Sequence, residues 1–296
     1  MTAPDEDETD GRRADPADAF AALSDPLRVD ILRELSAHRR TTGEEVTGFA
    51  DLRKGVGVRD SGRFRYHLNE LRPNFVEKTD SGYRLTHAGL QVVAAILAGT
   101  YTDDVSKGPV ELDSDCPFCG RPAVASFRSG ACFVTCGEDH PLFQWSVPPN
   151  AAADASLPDV VDLAELLAFQ AIEQALAGAC PQCYDPIETA VAVTDGSEQP
   201  TFRAVCDTCG ARIAGPVSFC LLVDPAVAAF CRRHGLTLRD DHVWEFPFVG
   251  DDAGGTVVAD DPVRVEFDVS LGEERLRATV DDRGDVVAVD APDETT

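Results

Sequence analysis

Cysteine spacing constrains the fold of this chain more than any other feature. Cys180-Pro-Gln-Cys183 and Cys206-Asp-Thr-Cys209-Gly are two Cys-x2-Cys pairs separated by 22 residues, and the strand-like Phe202-Arg-Ala-Val205 leads directly into the second pair. Two thiolates on each of two tight turns, with backbone amides available to stabilise their charge, make a tetrahedral site suited to structural zinc. Thioredoxin-like redox chemistry would instead need one such motif at a helix start in a βαβ unit. Cys180 lies between a Gly-Ala helix end and a strand-like run, which does not fit that pattern.

An earlier pair, Cys116-Pro-Phe-Cys119-Gly, finds its partners in the segment SGACFVTCGEDHP. Spacing alone allows Cys132 with Cys136, or Cys136 with His140. In the second cluster the third ligand follows its strand immediately. Aligning Phe133-Val-Thr-Cys136 to that pattern makes Cys136 the third ligand, leaves Asp139 or His140 as the fourth and turns Cys132 into a strand residue. Imidazole binds zinc well in mixed-ligand sites, which favours His140. The expectation is two structural zinc ions per chain, one on Cys116, Cys119, Cys136 and His140, the other on Cys180, Cys183, Cys206 and Cys209. Cys220 and Cys231, in an apolar strand FCLLV and an amphipathic helix AAFCRRHG, read as small core residues.

Charge bounds the compartment. The 296 residues carry 26 Lys plus Arg against 52 Asp plus Glu, a formal net charge of −26, and the only lysines are Lys54, Lys78 and Lys107. Heavily hydrated carboxylates keep a protein soluble where molar salt has screened long-range repulsion, so the balance points to a halophile's cytosol. A hydrophobic content of 44% excludes global disorder. No run of about 18 uncharged apolar residues offers a membrane span. The first eighteen residues are acidic and lack the apolar core of a signal peptide. A cytoplasmic protein with reduced cysteines is the expectation.

The amino-terminal third reads as helices and a hairpin. Asp15-Pro16 and Asp25-Pro26 are cap-and-first-turn signals, the second opening a helix with the stripe Leu27, Ile31, Leu32 and Leu35. Phe49, Leu52 and Val56 mark a third helix, and Asp60 or Ser61 can cap a fourth running to about Arg72. Two close helices with a Gly-containing turn between them form a helix-turn-helix candidate. Phe75 to Lys78 and Tyr83 to Thr86 alternate around a Gly-bearing turn, the pattern of a β-hairpin or wing. A last helix with Leu90, Val92, Val93, Ile96 and Leu97 is apolar on more than one face, and part of it is expected to meet another chain.

ALSDPLRVDILREL resembles the opening of ArsR-type winged helix-turn-helix transcription regulators. DSGRFRYHLNEL followed by FVEKTDSGYRLT is similar to their recognition helix and wing. The likeness covers roughly Ala17 to Gly99, and the cysteine-bearing remainder resembles the zinc-ribbon extension of winged-helix regulators in halophilic archaea. It implies a DNA-binding homodimer. No Cys precedes Cys116, so the thiolate metal-sensing motif that some ArsR proteins carry is missing.

Electrostatics point the same way independently. From Pro26 to Lys78 eleven basic residues stand against eight acidic ones, a surplus of three positive charges in a chain whose remainder carries −29. A polyanion partner explains such an island; pairing of arginines with acidic neighbours on helix faces is the plainer alternative. Phe64, Leu68 and Leu71 at i, i+4 and i+7 set the buried face of the fourth helix and leave Gly62, Tyr66 and Asn69 opposite, flanked by Arg63 and Arg65. Gly62 lets the backbone approach a groove, Asn69 can pair with adenine, and Arg63 or Arg65 with guanine or phosphate. Arg59 and Ser61 at the helix start and Lys78 and Ser81 in the wing complete the expected contacts with double-stranded DNA. His67 is expected to be packed and hydrogen-bonded.

The fold class that follows is α+β: an acidic tail (1–16), a winged helix-turn-helix (17–105), a first zinc ribbon (111–150), a connecting helix (157–178), a second ribbon (179–223), and a helix with a small antiparallel β-module (224–292). The aspartate doublets at 240–241, 251–252, 260–261 and 281–282 read as solvated turns. The expected function is transcription regulation without catalysis, by a dimer with a possible transcription-machinery partner. One alternative is a zinc-ribbon nucleic-acid-processing factor, which would need an acidic or His cluster outside the ribbons; six scattered histidines give little support for one. The other is an adaptor using its winged helix for protein contact.

Overall fold

The computed structural model describes residues 15–72, 74–193, 200–249 and 255–290, in two compact units, 1–102 and 103–296. The acidic tail up to residue 14 and the Asp251-Asp252 doublet lie outside the described residues.

In the first unit, local capping sets the helix starts. Asp15 accepts from the Ala17 amide at the head of α1 (Pro16–Ala21), and Asp25 accepts from Leu27 at the head of α2 (Pro26–Thr42), where Pro26 has no amide to lose. Gly43, at φ 76°, ends α2. After α3 (Phe49–Gly55), the Asp60 carboxylate accepts from the Gly62 and Arg63 amides and starts α4 (Ser61–Glu70). Strands β1 (Val76–Lys78) and β2 (Tyr83–Leu85) pair antiparallel, Thr47 bridges the free side of Tyr83, and α5 (His87–Leu97) follows. Gly82 is required there, because a Cβ would collide with the Thr47 carbonyl. Leu27, Ile31, Leu32, Leu35, Leu52, Phe64, Leu68, Leu71 and Val93 form one buried core. Each large side chain among them contributes roughly 1.5–3 kcal/mol on leaving water.

The second unit contains three antiparallel sheets. β3 (Lys107–Asp115), β4 (Pro122–Arg128), β5 (Ala131–Cys136) and β6 (Pro141–Ser146) form a meander in chain order. After α6 (Pro149–Ala153) comes α7 (Leu157–Leu176), started by a capping box between Ser156 and Asp159. β7 (Glu188–Ala192), β8 (Thr201–Val205) and β9 (Arg212–Pro216) make the second sheet. Two helices, α8 (Phe219–Leu222) and α9 (Pro225–Arg233), and a 3-10 turn at Val243–Glu245 lead to the third sheet. That sheet runs β10 (Thr256–Asp260), β11 (Val263–Leu271), β12 (Glu274–Asp281) and β13 (Val286–Asp290).

A single apolar core runs from Leu112 to Val280, and α7 packs against all four strands of the first sheet and against β7. Its buried face sets Ala164, Ala168, Ala171 and Ala175 among Leu157, Val160, Val161 and Ile172, while Leu166 stays 52% exposed. The alanines let the helix backbone approach the sheet more closely than a row of leucines would. Cys220 is on a short helix, where the apolar run FCLLV reads as a strand. A fully buried run of four or five apolar residues carries no period to separate the two, and the turn bonds Cys220 N to Val217 O and Leu221 N to Ser218 O decide it.

Candidate functional site

Three of the Cys-x2-Cys turns share one local geometry. The amide of the first cysteine is donated to a carbonyl five residues on (Cys116 to Arg121, Cys180 to Asp185, Cys206 to Ala211), and its own carbonyl accepts from residue i+4 (Gly120, Tyr184, Gly210). That fifth residue is left-handed in each turn, at φ 66°, 65° and 74°, and Tyr184 adopts it without being glycine. Such a turn aims both thiols to the same side. The fourth half-site differs: Asp139, at φ 60°, donates its amide to the Cys136 carbonyl and turns the chain so that His140 faces back toward Cys136.

Two ligand sets result. Cys116, Cys119, Cys136 and His140 converge, as do Cys180, Cys183, Cys206 and Cys209, with all ligand atoms of each set within 4.8 Å of one another. Sulfur–sulfur separations are 3.6 Å for Cys119 with Cys136, Cys180 with Cys209, and Cys183 with Cys206. The His140 Nδ1 lies 3.5 Å from Cys116 Sγ and 3.4 Å from Cys136 Sγ. Tetrahedral zinc with bonds of about 2.3 Å to sulfur and about 2.05 Å to nitrogen requires separations of about 3.8 and about 3.6 Å, so both sets fit such an ion. Electrostatics favour one thiolate in each set, while burial and the neighbouring thiols push Cys116, Cys183 and Cys209 up. The Cys183 amide, aided by that of Gln182, holds Cys180 down at about 6 against the cost of burial. Burial raises Cys136, yet the amides of Glu138 and His140 and the neighbouring thiols bring it to about 7.

Cys132 is outside the first set. It is fully buried on β5 opposite Trp145, and burial, with the nearby Glu165 charge, pushes its thiol up to about 11. Cys220 and Cys231 are buried in the core, and burial pushes them to about 12 and about 11. His140→Ala should therefore lower the zinc content toward one ion per chain, whereas Cys132→Ser should leave it unchanged. Elemental analysis of the purified variants checks both, and the reverse result would move the fourth ligand to Cys132.

A third group, Asp162, Glu165 and His242, is brought together by the fold alone. Glu165 is 4% exposed; one carboxylate oxygen accepts from the Val243 amide at 2.9 Å and the other lies 3.1 Å from His242 Nδ1. The His242 ring stacks on Trp244 at 4.5 Å, the Trp244 indole donates to Ser114 at 2.8 Å, and Ser114 donates to Glu245 at 2.6 Å. Burial raises the Glu165 pKa more than its two partners lower it. Burial disfavours the His242 imidazolium, but the Glu165 bond and the charges of Glu165, Glu245 and Asp162 raise it above its ordinary value. Both oxygens of Glu165 are committed, so the group anchors the 242–245 segment on α7. No sequence signal joins residues 77 positions apart; an acid on the otherwise apolar buried face of α7 is the only trace.

Glu165→Ala should cost roughly 3–5 kcal/mol, the penalty for breaking a buried pair. A raised His242 pKa means a contribution complete below about 6.5 and lost as pH rises through the folded value. Denaturation midpoints should accordingly fall as pH rises from about 6.5 through the raised His242 value, and Glu165→Gln should flatten that slope.

In the first unit, Arg59, Ser61, Gly62, Arg63, Arg65, Tyr66 and Asn69 are exposed on or beside α4, and Lys78 and Ser81 are exposed on the hairpin. Tyr66 is 57% exposed, and a Cβ on Gly62 would meet nothing but the Asp60 carboxylate. The Arg65 guanidinium lies over the Phe49 ring, 5.3 Å from its centroid. His67 is packed, 8% exposed, but its Nδ1 makes no hydrogen bond; the expected bond is replaced by an approach of 3.7 Å to Asp25. Of the eleven basic residues from Pro26 to Lys78, Arg28 pairs with Glu70 and Arg39 with Glu45; among the described residues the other nine have no carboxylate within 4 Å. No helix of the described residues is long and apolar enough to cross a membrane.

Two family models match the chain. One, described as a domain of unknown function (DUF7347), matches residues 16–96. The other, also described as a domain of unknown function (DUF7351), matches residues 113–286. The two matches fall one in each compact unit. No curated protein matches the chain at a significant level. With more than half of its length matched, across all three sheets and both four-ligand cysteine groups, the chain belongs to the DUF7351 family.

Proposed function

We propose that this protein is a DNA-binding transcription regulator of the ArsR-like winged-helix type, acting as a homodimer in the cytoplasm, with two structural zinc ions in its second unit. The observation that carries the reading is the run from Pro26 to Lys78, where nine basic side chains have no carboxylate within 4 Å in a chain of net charge −26. That leaves the plainer alternative, arginines neutralised by helix neighbours, with two instances. α4, entered from a short turn after α3, presents Arg63, Tyr66 and Asn69 on the face opposite Phe64 and Leu68. The antiparallel hairpin following it supplies a wing with Lys78 and Ser81 exposed. Leu97, 45% exposed, with half-buried Ile96 and Val92 on α5, offers the apolar surface a dimer would cover.

Selection of random duplexes by the full zinc-loaded chain in molar salt, followed by electrophoretic retardation, tests the proposal. Enrichment of a two-fold symmetric motif is the expected result. Failure to retard any duplex from low to molar salt would replace it with the adaptor reading.

A further inference from the structure

We propose that the second unit binds one uncharged two-ring aromatic molecule in a cleft between its first and second sheets. This goes beyond the DNA-binding reading and does not rest on it. The cleft, of about 320 Å³, lies against α7 and is bordered by β6 and β9, each the last strand of its sheet. An apolar cavity of about 150 Å³ holds a benzene and otherwise stays dry, so this one has room for two rings.

The walls match such a ligand. Phe133, Phe143 and Trp145 come from β5 and β6, Phe169 from α7, and Phe219 and Trp244 close the far side. Trp145, Phe169 and Phe219 are only half-buried and leave ring surface toward the cleft, whereas Phe133, on the opposite face of its sheet from Phe143 and Trp145, lies at the rim under the Arg128 guanidinium at 3.9 Å. No Asp, Glu, Lys, Arg or His lines it, although 26% of the chain is charged. A charged ligand would lose its hydration there with no charged side chain of the lining to replace it. β9 adds little side-chain volume, contributing Ala214, Gly215 and Pro216. A Cβ on Gly215 would press on the Phe219 ring at 3.0 Å, so glycine there keeps that ring close to the strand.

Trp244 is fixed before any ligand arrives, its indole N–H held by Ser114 and its ring stacked on His242. A preset wall lowers the ordering cost of binding. The Thr135 hydroxyl and the Gln144 amide line the same cleft, and among the described residues neither side chain makes a hydrogen bond. They suit one neutral polar substituent, a hydroxyl or carbonyl, on an otherwise apolar ring system.

Both of the chain's tryptophans line the cleft, so energy transfer from them reports occupancy. The full zinc-loaded protein at pH 7 in molar KCl is titrated with prodan, a neutral naphthalene dye that brightens in apolar surroundings. Saturable one-to-one binding with transfer from tryptophan is expected. 2-Naphthol should displace the dye at least tenfold better than 2-naphthoate, which has the same rings and a charge, and at least tenfold better than 1-decanol. Ala214→Phe, at an exposed wall position, should weaken dye binding at least tenfold. The double variant Thr135→Val, Gln144→Leu should weaken competition by 2-naphthol while sparing that by 2-methylnaphthalene. The proposal falls if the dye does not saturate, if naphthoate or decanol competes equally well, or if both variants with full zinc content bind as the parent does. It falls equally if the dye is excluded because the edge strands pair with a second copy, seen as concentration-dependent dimerisation that Ala214→Phe abolishes.

Discussion

Cys180→Ser is expected to release one zinc ion per chain and to unfold the segment from Ala179 to Pro216 while the first unit stays folded. Cys180 and Cys206 are fully buried, and each knuckle of this ribbon is closed by two backbone bonds. Zinc therefore adds to the packing of Phe202, Ala204 and Ile213 the one link that ties the two knuckles together. Apparent binding free energies of structural zinc are about 10–16 kcal/mol, comparable with or larger than the whole stability of an ordinary domain. Removing one of four ligands forfeits most of that. Zinc content by elemental analysis and amide exchange along β7, β8 and β9 are the measurements, with Cys231→Ser as the control. Cys231 is as buried as Cys180 but far from either ligand set in chain and in chemistry, so its variant should keep two ions and lose only packing, roughly 1–3 kcal/mol. Protein purified without chelator and found free of zinc would end the metal assignment.

The triple variant Arg63→Ala, Arg65→Ala, Asn69→Ala should abolish sequence-selective DNA binding in molar salt while leaving the fold intact. All three side chains are exposed, and the helix that carries them is anchored by Phe64 and Leu68, each fully buried. At about 1 M salt the Debye length is ~3 Å, so counterion release supplies little affinity and short-range pairs to base edges must supply more. Each bidentate pair contributes roughly 1–3 kcal/mol of discrimination, and losing two or three of them reduces selectivity by about 30-fold at the least and about 10⁶-fold at the most. Asn69→Ala alone should relax preference at one base position. Lys78→Ala should weaken binding to all sequences alike, since a hairpin lysine meets phosphate, which carries no sequence. A folded triple variant that binds its selected DNA unchanged would show α4 to be the wrong helix.

Both predictions concern residues legible from the chain alone, and for the same reason. A Cys-x2-Cys turn and an Asp-capped helix are local, so the residues that make the chemistry also make the backbone that presents it. The choice of His140 over Cys132 was nearly as local, resting on which residue follows the strand. His67 and Cys220 went differently from expectation because burial tells only that a side chain is inside, not which neighbour meets it there or which backbone carries it.

By itself, the sequence determined the helix starts at Asp25-Pro26 and Asp60, the buried stripe of α4, the pairing of β1 with β2, the membership of the second four-ligand group and the three cysteines of the first. Each is set by contacts within about 30 residues, where spacing specifies geometry. Only the tertiary structure decided that α7 turns alanines inward against the first sheet, that Glu165 meets His242 across 77 residues, and that aromatic rings from the first sheet, α7, α8 and the 242–245 segment line one cleft. Those arrangements depend on how closely a helix can approach a sheet and on which edges the core leaves adjacent. Neither quantity has a period or a spacing in the chain, because each is a sum over residues that meet only after folding.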